Sequence, residues 1–149
     1  MPQHEQTVTL LVIDDDPAIV RLLEKVITRT FGEQINIESL VDPRDARTRI
    51  NQGGVDILLT DLEMPGINGL ELLRCAKRRN PCTQVLFLTG HSSQEALLDS
   101  FELGATDYLL KPVDQVELLE LIEQSYRRHV RWRNALAETW SQQKSQLKS

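Results

Sequence analysis

The chain has 149 residues, 40% apolar and 26% charged, a globular balance too apolar for a disordered chain. Its longest apolar runs, such as Leu10–Ile13 and Val85–Leu88, fall far short of the roughly 20 residues that cross a bilayer, and the opening Met1–Gln6 is polar. Membrane insertion and a secretory leader are therefore not expected, and a cytoplasmic location is. Cys75 and Cys82 agree: two cysteines are too few for a disulfide scaffold and are wrongly spaced for a CxxC redox or zinc motif. The net charge of −5 conceals an asymmetry, because residues 127–149 carry six cations against Glu138 alone, a net of +5 that leaves −10 on residues 1–126. An acidic body with a basic tail is not the profile of a dedicated nucleic-acid binder.

Two kinds of apolar segment alternate along the chain. Short aliphatic runs of strand length occur at Val8–Ile13, Ile35–Leu40, Val55–Leu59, Val85–Leu88 and Tyr108–Leu110. Between them lie longer segments with helical spacing, the first marked by Ile19, Leu22, Leu23, Val26, Ile27 and Thr30. Asp16-Pro17 and Asp42-Pro43 each place an N-cap candidate before a proline at the first helical position. Ser92 with Glu95, and Asp114 with Glu117, have the spacing of a capping box. Five strands alternating with five helices predict an α/β fold, doubly wound around a parallel sheet. In the third and fourth strands, residues 57–59 and 85–88 are apolar without interruption, as expected under helices on both faces, whereas Gln34–Glu38 alternates and suits an edge. That pattern fits the strand order 2-1-3-4-5, with a ligand crevice beyond the carboxyl ends of strands 1 and 3.

The residues at those carboxyl ends form a coherent set. The first strand ends in Asp14-Asp15-Asp16, the third in Asp61, the fourth in Thr89 and the fifth in Lys111-Pro112. Crowded carboxylates repel one another and need a cation, and a hard oxygen set with few protein ligands suits Mg²⁺. A carboxylate can also serve as a nucleophile toward phosphorus, with a metal and a lysine neutralising the transferred oxygens. Asp16, before Pro17, reads as a helix cap and not as a member of the site.

Four segments together carry a family resemblance: Leu11-Val12-Ile13-Asp14-Asp15-Asp16-Pro17, Asp61-Leu62-Glu63-Met64-Pro65-Gly66-Ile67-Asn68-Gly69, Leu88-Thr89-Gly90 and Gly104–Pro112. Over residues 7–126 the chain resembles a receiver domain of two-component response regulators, of the kind found in the chemotaxis response regulator, with a flavodoxin-like fold. The resemblance implies that Asp61 accepts a phosphoryl group from a sensor histidine kinase or a phosphotransfer protein. It implies that Asp14, Asp15, Asp61 and the backbone carbonyl of Glu63 hold Mg²⁺, and that Thr89 and Lys111 contact the phosphoryl oxygens. Tyr108 matches the aromatic switch position, which with Thr89 alters a surface made of the fourth helix, fifth strand and fifth helix. The Lys111–Pro112 bond is expected to be cis. Glu63 and His91 occupy positions that vary in the family and tune the lifetime of the phosphoryl group.

Two other readings are weaker. A haloacid-dehalogenase-like phosphatase would place its nucleophile on the first strand, where Asp14-x-Asp16 imitates its motif, but it needs a second acidic cluster after the lysine. Asp114 and Glu117 are better explained there as helix caps. A phosphorylation-independent receiver-like module would typically lack one of the five site residues, and none is missing.

The tail, residues 127–149, has its own logic. The core-facing stripe of the last helix (Val116, Leu118, Leu119, Leu121, Ile122) is expected to be complete by about Tyr126, yet no Gly or Pro occurs from 113 to 149. Trp132, Leu136 and Trp140 follow at i, i+4, i+8 on one face. A basic helical extension to about residue 140 is therefore predicted, burying both tryptophans against a second copy or another protein, with a polar, disordered end from Ser141 to Ser149.

Overall fold

The computed structural model describes residues 7–90 and 93–147. The elements follow the order β1 (Val8–Ile13), α1 (Pro17–Phe31), a short 3-10 turn (Gly32–Gln34), β2 (Ile35–Leu40), α2 (Pro43–Asn51), β3 (Ile57–Asp61), α3 (Gly69–Arg79), β4 (Gln84–Thr89), α4 (Gln94–Glu102), β5 (Asp107–Leu110) and α5 (Gln115–Leu147). All strand pairs are parallel, in the order β2-β1-β3-β4-β5.

Strand alternation divides the core in two. One set of side chains, among them Leu11, Ile13, Leu58, Val85 and Phe87, packs with Ala46 and Ile50 of α2 and Leu72, Leu73 and Ala76 of α3. The opposite set, including Leu10, Val12, Ile57, Leu59, Leu86, Leu88 and Leu109, packs with Leu23 and Ile27 of α1 and Leu118 and Ile122 of α5. Every residue of β3 and β4 is buried, whereas β2 keeps mostly half-buried positions, as its alternating sequence and edge location require.

Caps at α1 and α2 match the reading from sequence: the Asp16 and Asp42 carboxylates accept the Ala18 and Arg44 amides. Asp114 likewise accepts the amides of Val116 and Glu117 ahead of α5. The cap of α4 is Ser93, whose Oγ accepts the Ala96 amide at 3.1 Å; Ser92, the expected cap, lies outside the described residues.

Four expectations shift. Strand β3 starts at Ile57 and not Val55, because Asp56 turns its carboxylate back to the Thr9 amide at 2.8 Å. It also runs on through polar Thr60 and Asp61. On α1 the buried stripe is Val20, Leu23 and Ile27, while Leu22 is exposed. On α5 Val116 is exposed, and the buried positions are Leu118, Ile122, Ser125 and His129, so the stripe continues beyond Tyr126. Finally, α5 remains helical to Leu147, so Ser141–Leu147, expected to be disordered, continues the rod. At 1.5 Å per residue its 33 residues span about 50 Å.

Candidate active site at the carboxyl rim of the sheet

The rim is assembled from strand ends. As β1 leaves the sheet, Asp14 is fully buried and its Oδ1 accepts the Asp16 amide at 2.9 Å. Asp15 points to solvent, and Asp16 is occupied in capping α1. As β3 ends, Asp61 stays 7% exposed, with Oδ1 accepting the Glu63 amide at 3.1 Å. The chain then turns through Gly66, at φ 89°, into α3. A Cβ at Gly69 would sit 2.5 Å from the Asp61 carbonyl and 2.8 Å from the Phe87 ring, so only glycine lets α3 start this close to β3.

Lys111, after β5, reaches across the rim. Its Nζ lies 2.8 Å from Asp14 Oδ2 and 3.0 Å from Asp61 Oδ2, and the Lys111–Pro112 peptide that follows is cis. The Lys111 amide donates to the Thr89 carbonyl at 2.8 Å, which locks the ends of β4 and β5 together beside the acids. Thr89 is 2% exposed.

Carboxylate oxygens of Asp14, Asp15 and Asp61 lie within 4.8 Å of one another. That crowding has an electrostatic signature. The Asp15 carboxyl titrates above its ordinary value, through partial burial, its hydrogen bond with Asp14, and the charges of Asp14 and Asp61. Burial by itself would lower the Lys111 ammonium, but its hydrogen bonds to Asp14 and Asp61 outweigh this and hold it above the usual lysine range. Three acids facing one lysine leave an excess of negative charge. With its hard oxygen donors, the cluster fits a small divalent cation such as Mg²⁺.

The predicted site residues Asp14, Asp15, Asp61, Thr89 and Lys111 thus share one rim, with Glu63 two residues beyond Asp61. Tyr108, one strand position away on β5, is half exposed and turned outward. Its ring borders a groove of about 460 Å³ between α4 and β5, with Leu98 and Phe101. His91 lies outside the described residues.

The opposite end of the sheet holds a cluster that the sequence reading missed. Asp56 precedes β3, and its Oδ1 lies 3.1 Å from His129 Nε2 and 3.2 Å from Arg133 Nη2, both on α5. Nδ1 of His129 is 3.3 Å from the Cys82 carbonyl. Burial would raise the Asp56 carboxyl, but the hydrogen bonds from His129 and the Thr9 amide hold it below the ordinary carboxylate value. The available signal was the alternation of four and three residues along Leu118, Ile122, Ser125 and His129, which places a histidine on the buried face of α5.

The chain matches the response regulator receiver domain family over residues 10–123 and belongs to that family. Among curated proteins it is 38% identical over 114 residues to the DNA-binding transcriptional regulator NtrC of Proteus hauseri, covering 76% of this chain and 24% of that protein. It is 35% identical over 127 residues to the NtrC of Klebsiella pneumoniae, covering 83% and 26%. The chain therefore spans about a quarter of the length of these relatives. Among solved structures, a CheY-like response regulator receiver domain protein from Methanospirillum hungatei superposes with a TM-score of 0.76 at 26% identity, covering 85% of this chain and 98% of that one. The protein is a receiver domain of the two-component type.

Proposed function

We propose that Asp61 is the phosphoacceptor and that its donor is the phosphohistidine of a sensor kinase or phosphotransfer protein. The observation that carries this reading is the Lys111 ammonium bridging Asp14 and Asp61 at 2.8 and 3.0 Å on the rim where three carboxylates converge. An Asp61 oxygen attacks phosphorus, the P–O bond forms, and the P–N bond to imidazole breaks. The Glu63 amide fixes one Asp61 oxygen, leaving the carboxylate in a defined orientation for in-line attack. Lys111 moves its charge onto the transferred oxygens, and the Thr89 hydroxyl donates to another of them. Asp14, Asp15, Asp61 and the Glu63 carbonyl would hold Mg²⁺, which supplies charge neutralisation at the transferred phosphoryl group. The domain takes one group per cycle and hydrolyses it slowly, without turning over small phosphate esters. DNA binding is named for the relatives as whole proteins, of which this chain matches about a quarter.

The test is incubation with acetyl phosphate, followed by intact-mass measurement with and without a chelator. A single modification that requires the divalent ion is expected. No uptake in saturating Mg²⁺, or multiple turnover of a small ester, would sink the reading.

Metal affinity should separate Asp15 from Asp16. Asp15→Asn removes a ligand and should weaken Mg²⁺ by at least roughly 10–100-fold, the range seen when even outer partners of a metal site are lost. Asp16→Asn should change it little, because Asn caps a helix nearly as well as Asp. In metal-free buffer Asp15→Asn should also raise stability by about 1 kcal/mol, or 2–4 °C, since it relieves the acidic crowding. Calorimetry with Mg²⁺ and a thermal melt decide, and equal losses of affinity in both variants would mean that the triplet is misassigned.

Phosphorylation should be read at Thr89 and Tyr108. With Tyr108 outward beside the α4–β5 groove, a Thr89 drawn toward the phosphoryl group leaves space for the ring to turn in, a shift of population between two arrangements. In the beryllofluoride-bound form, the Tyr108 ring resonances and the amides of α4, β5 and α5 should shift and sharpen. Unchanged spectra on that face would remove the switch.

A further inference from the structure

We infer that Thr60 is a positioning residue for the phosphoacceptor: its buried hydroxyl fixes the peptide that leaves Asp61, and with it the direction in which the carboxylate is presented. The inference rests on the reading of Asp61 as the acceptor, and it adds to that site a residue from the opposite face of the strand.

Strand β3 is aliphatic from Ile57 to Leu59 and then places a hydroxyl where no solvent reaches, since Thr60 is 0% exposed. Side chains alternate across a strand. Leu58 and Leu62, two residues to either side of Thr60, pack in the cluster formed with α2 and α3. Thr60 therefore faces that cluster, and Asp61 faces the other way. A valine of the same shape would suit such surroundings better unless the hydroxyl has a partner. It has one: Thr60 Oγ1 donates to the Asp61 carbonyl at 3.0 Å.

That carbonyl stands where β3 loses a neighbour. Pairing of β1 with β3 ends at Ile13 opposite Thr60, whereas pairing of β3 with β4 reaches Asp61 opposite Leu88. A buried carbonyl deprived of its donor is costly, and the Thr60 hydroxyl supplies one from within the strand. The same peptide is tied at its other end, where the Leu62 amide donates to the Leu88 carbonyl at 3.0 Å. The Leu62 carbonyl in turn accepts the Gly69 amide at 2.9 Å, which carries the restraint into α3.

The consequence lies two residues on. The Glu63 amide donates to Asp61 Oδ1 at 3.1 Å, and Asp61 Oδ2 lies 3.0 Å from Lys111 Nζ. The first of these bonds depends on the course of the chain after Asp61. A peptide free to turn withdraws the Glu63 amide, and the carboxylate then rotates about its own side-chain bonds. Thr60 acts in this way through the backbone of Asp61, without contributing an atom to the reacting groups.

Two matched pairs isolate the hydroxyl. Thr60→Val keeps the shape of the unaltered side chain and removes the hydroxyl, and Thr60→Ala does the same relative to Thr60→Ser. Labelling by acetyl phosphate in saturating Mg²⁺ should be about tenfold slower in the member of each pair without the hydroxyl, a fraction of the ~100-fold that a 1 Å misplacement costs. The loss should fall on the maximal rate, with the half-saturating concentration moved by less than about twofold. Thr60→Ser should label within about twofold of the unaltered chain, although the space left by its methyl lowers its melting temperature. The Glu63 amide resonance should shift in Thr60→Val and Thr60→Ala and hold in Thr60→Ser. Absence of labelling in the unaltered chain sinks the acceptor reading and this inference with it. Normal labelling there, with a rate ratio near one in either pair or with rates that follow melting temperature instead of the hydroxyl, overturns this inference alone.

Discussion

Asp61→Asn should take up neither a phosphoryl group nor beryllofluoride, with labelling at least ~100-fold slower than the unaltered chain. An amide oxygen is a poor nucleophile, and half of the substituted group is an NH2 donor that cannot accept the Lys111 ammonium now 3.0 Å from Asp61 Oδ2. The fold should survive, because Lys111 keeps its 2.8 Å contact with buried Asp14 and loses one of two carboxylate partners. Circular dichroism and a thermal melt establish folding, and intact mass after acetyl phosphate and Mg²⁺ reads acceptance. If the variant is labelled as fully as before, on Asp15 for example, then the division of roles among the rim acids is wrong.

The largest effect on stability is expected far from that chemistry. Asp56→Asn should cost about 2–3 kcal/mol, or 5–10 °C in a chain of this size. The carboxylate accepts the Thr9 amide and lies within 3.2 Å of both His129 and Arg133, so its neutral replacement removes the negative charge that holds α5 to the start of β3. The estimate sits below the full cost of breaking a buried pair because Arg133 keeps partial contact with water. The sign of the pH dependence follows from the depressed Asp56 value. Its contribution is present above the unfolded carboxylate range near 3.8 and fades as pH falls through the lower folded value. The gap between the denaturant midpoints of the two chains should therefore begin to narrow as pH falls below about 4. Hydrogen exchange along residues 129–133 should accelerate in the variant, and a gap that persists at low pH would assign the effect to something other than this carboxylate.

The rim was legible from sequence because strand ends are punctuated. Pro17 fixes where α1 begins and thereby frees Asp14 and Asp15 from capping duty, and Lys111-Pro112 closes β5 two residues beyond Leu109, which is level with Asp61 across the sheet. The boundary of β3 was less legible: Val55 is apolar and buried, but it lies before the hydrogen-bonded ladder, while Thr60 and Asp61 are polar and lie within it. Leu22 and Val20 of α1 fit equally well on an amphipathic wheel, and only the packing angle against the sheet selects Val20. The Asp56–His129–Arg133 cluster escaped notice because its members are remote in sequence and each alone resembles a solvated charge. Residues 141–147 are polar, so hydrophobic spacing gave no reason to extend the helix, although no breaker interrupts it.

Strand β3 carries an acid at each end: Asp61 at the reactive rim, Asp56 at the anchor of the tail. The four residues between them are fully buried, and neither end shares a side chain with the other. Chemistry and attachment are thus two separate sockets on one rigid bar. Whatever follows His129 and Arg133 can be exchanged without disturbing the acids that would take the phosphoryl group. A foreign helix that keeps a histidine and an arginine four residues apart in phase with Leu118 and Ile122 should plug into the same base, which makes this domain a natural donor for chimeric regulators.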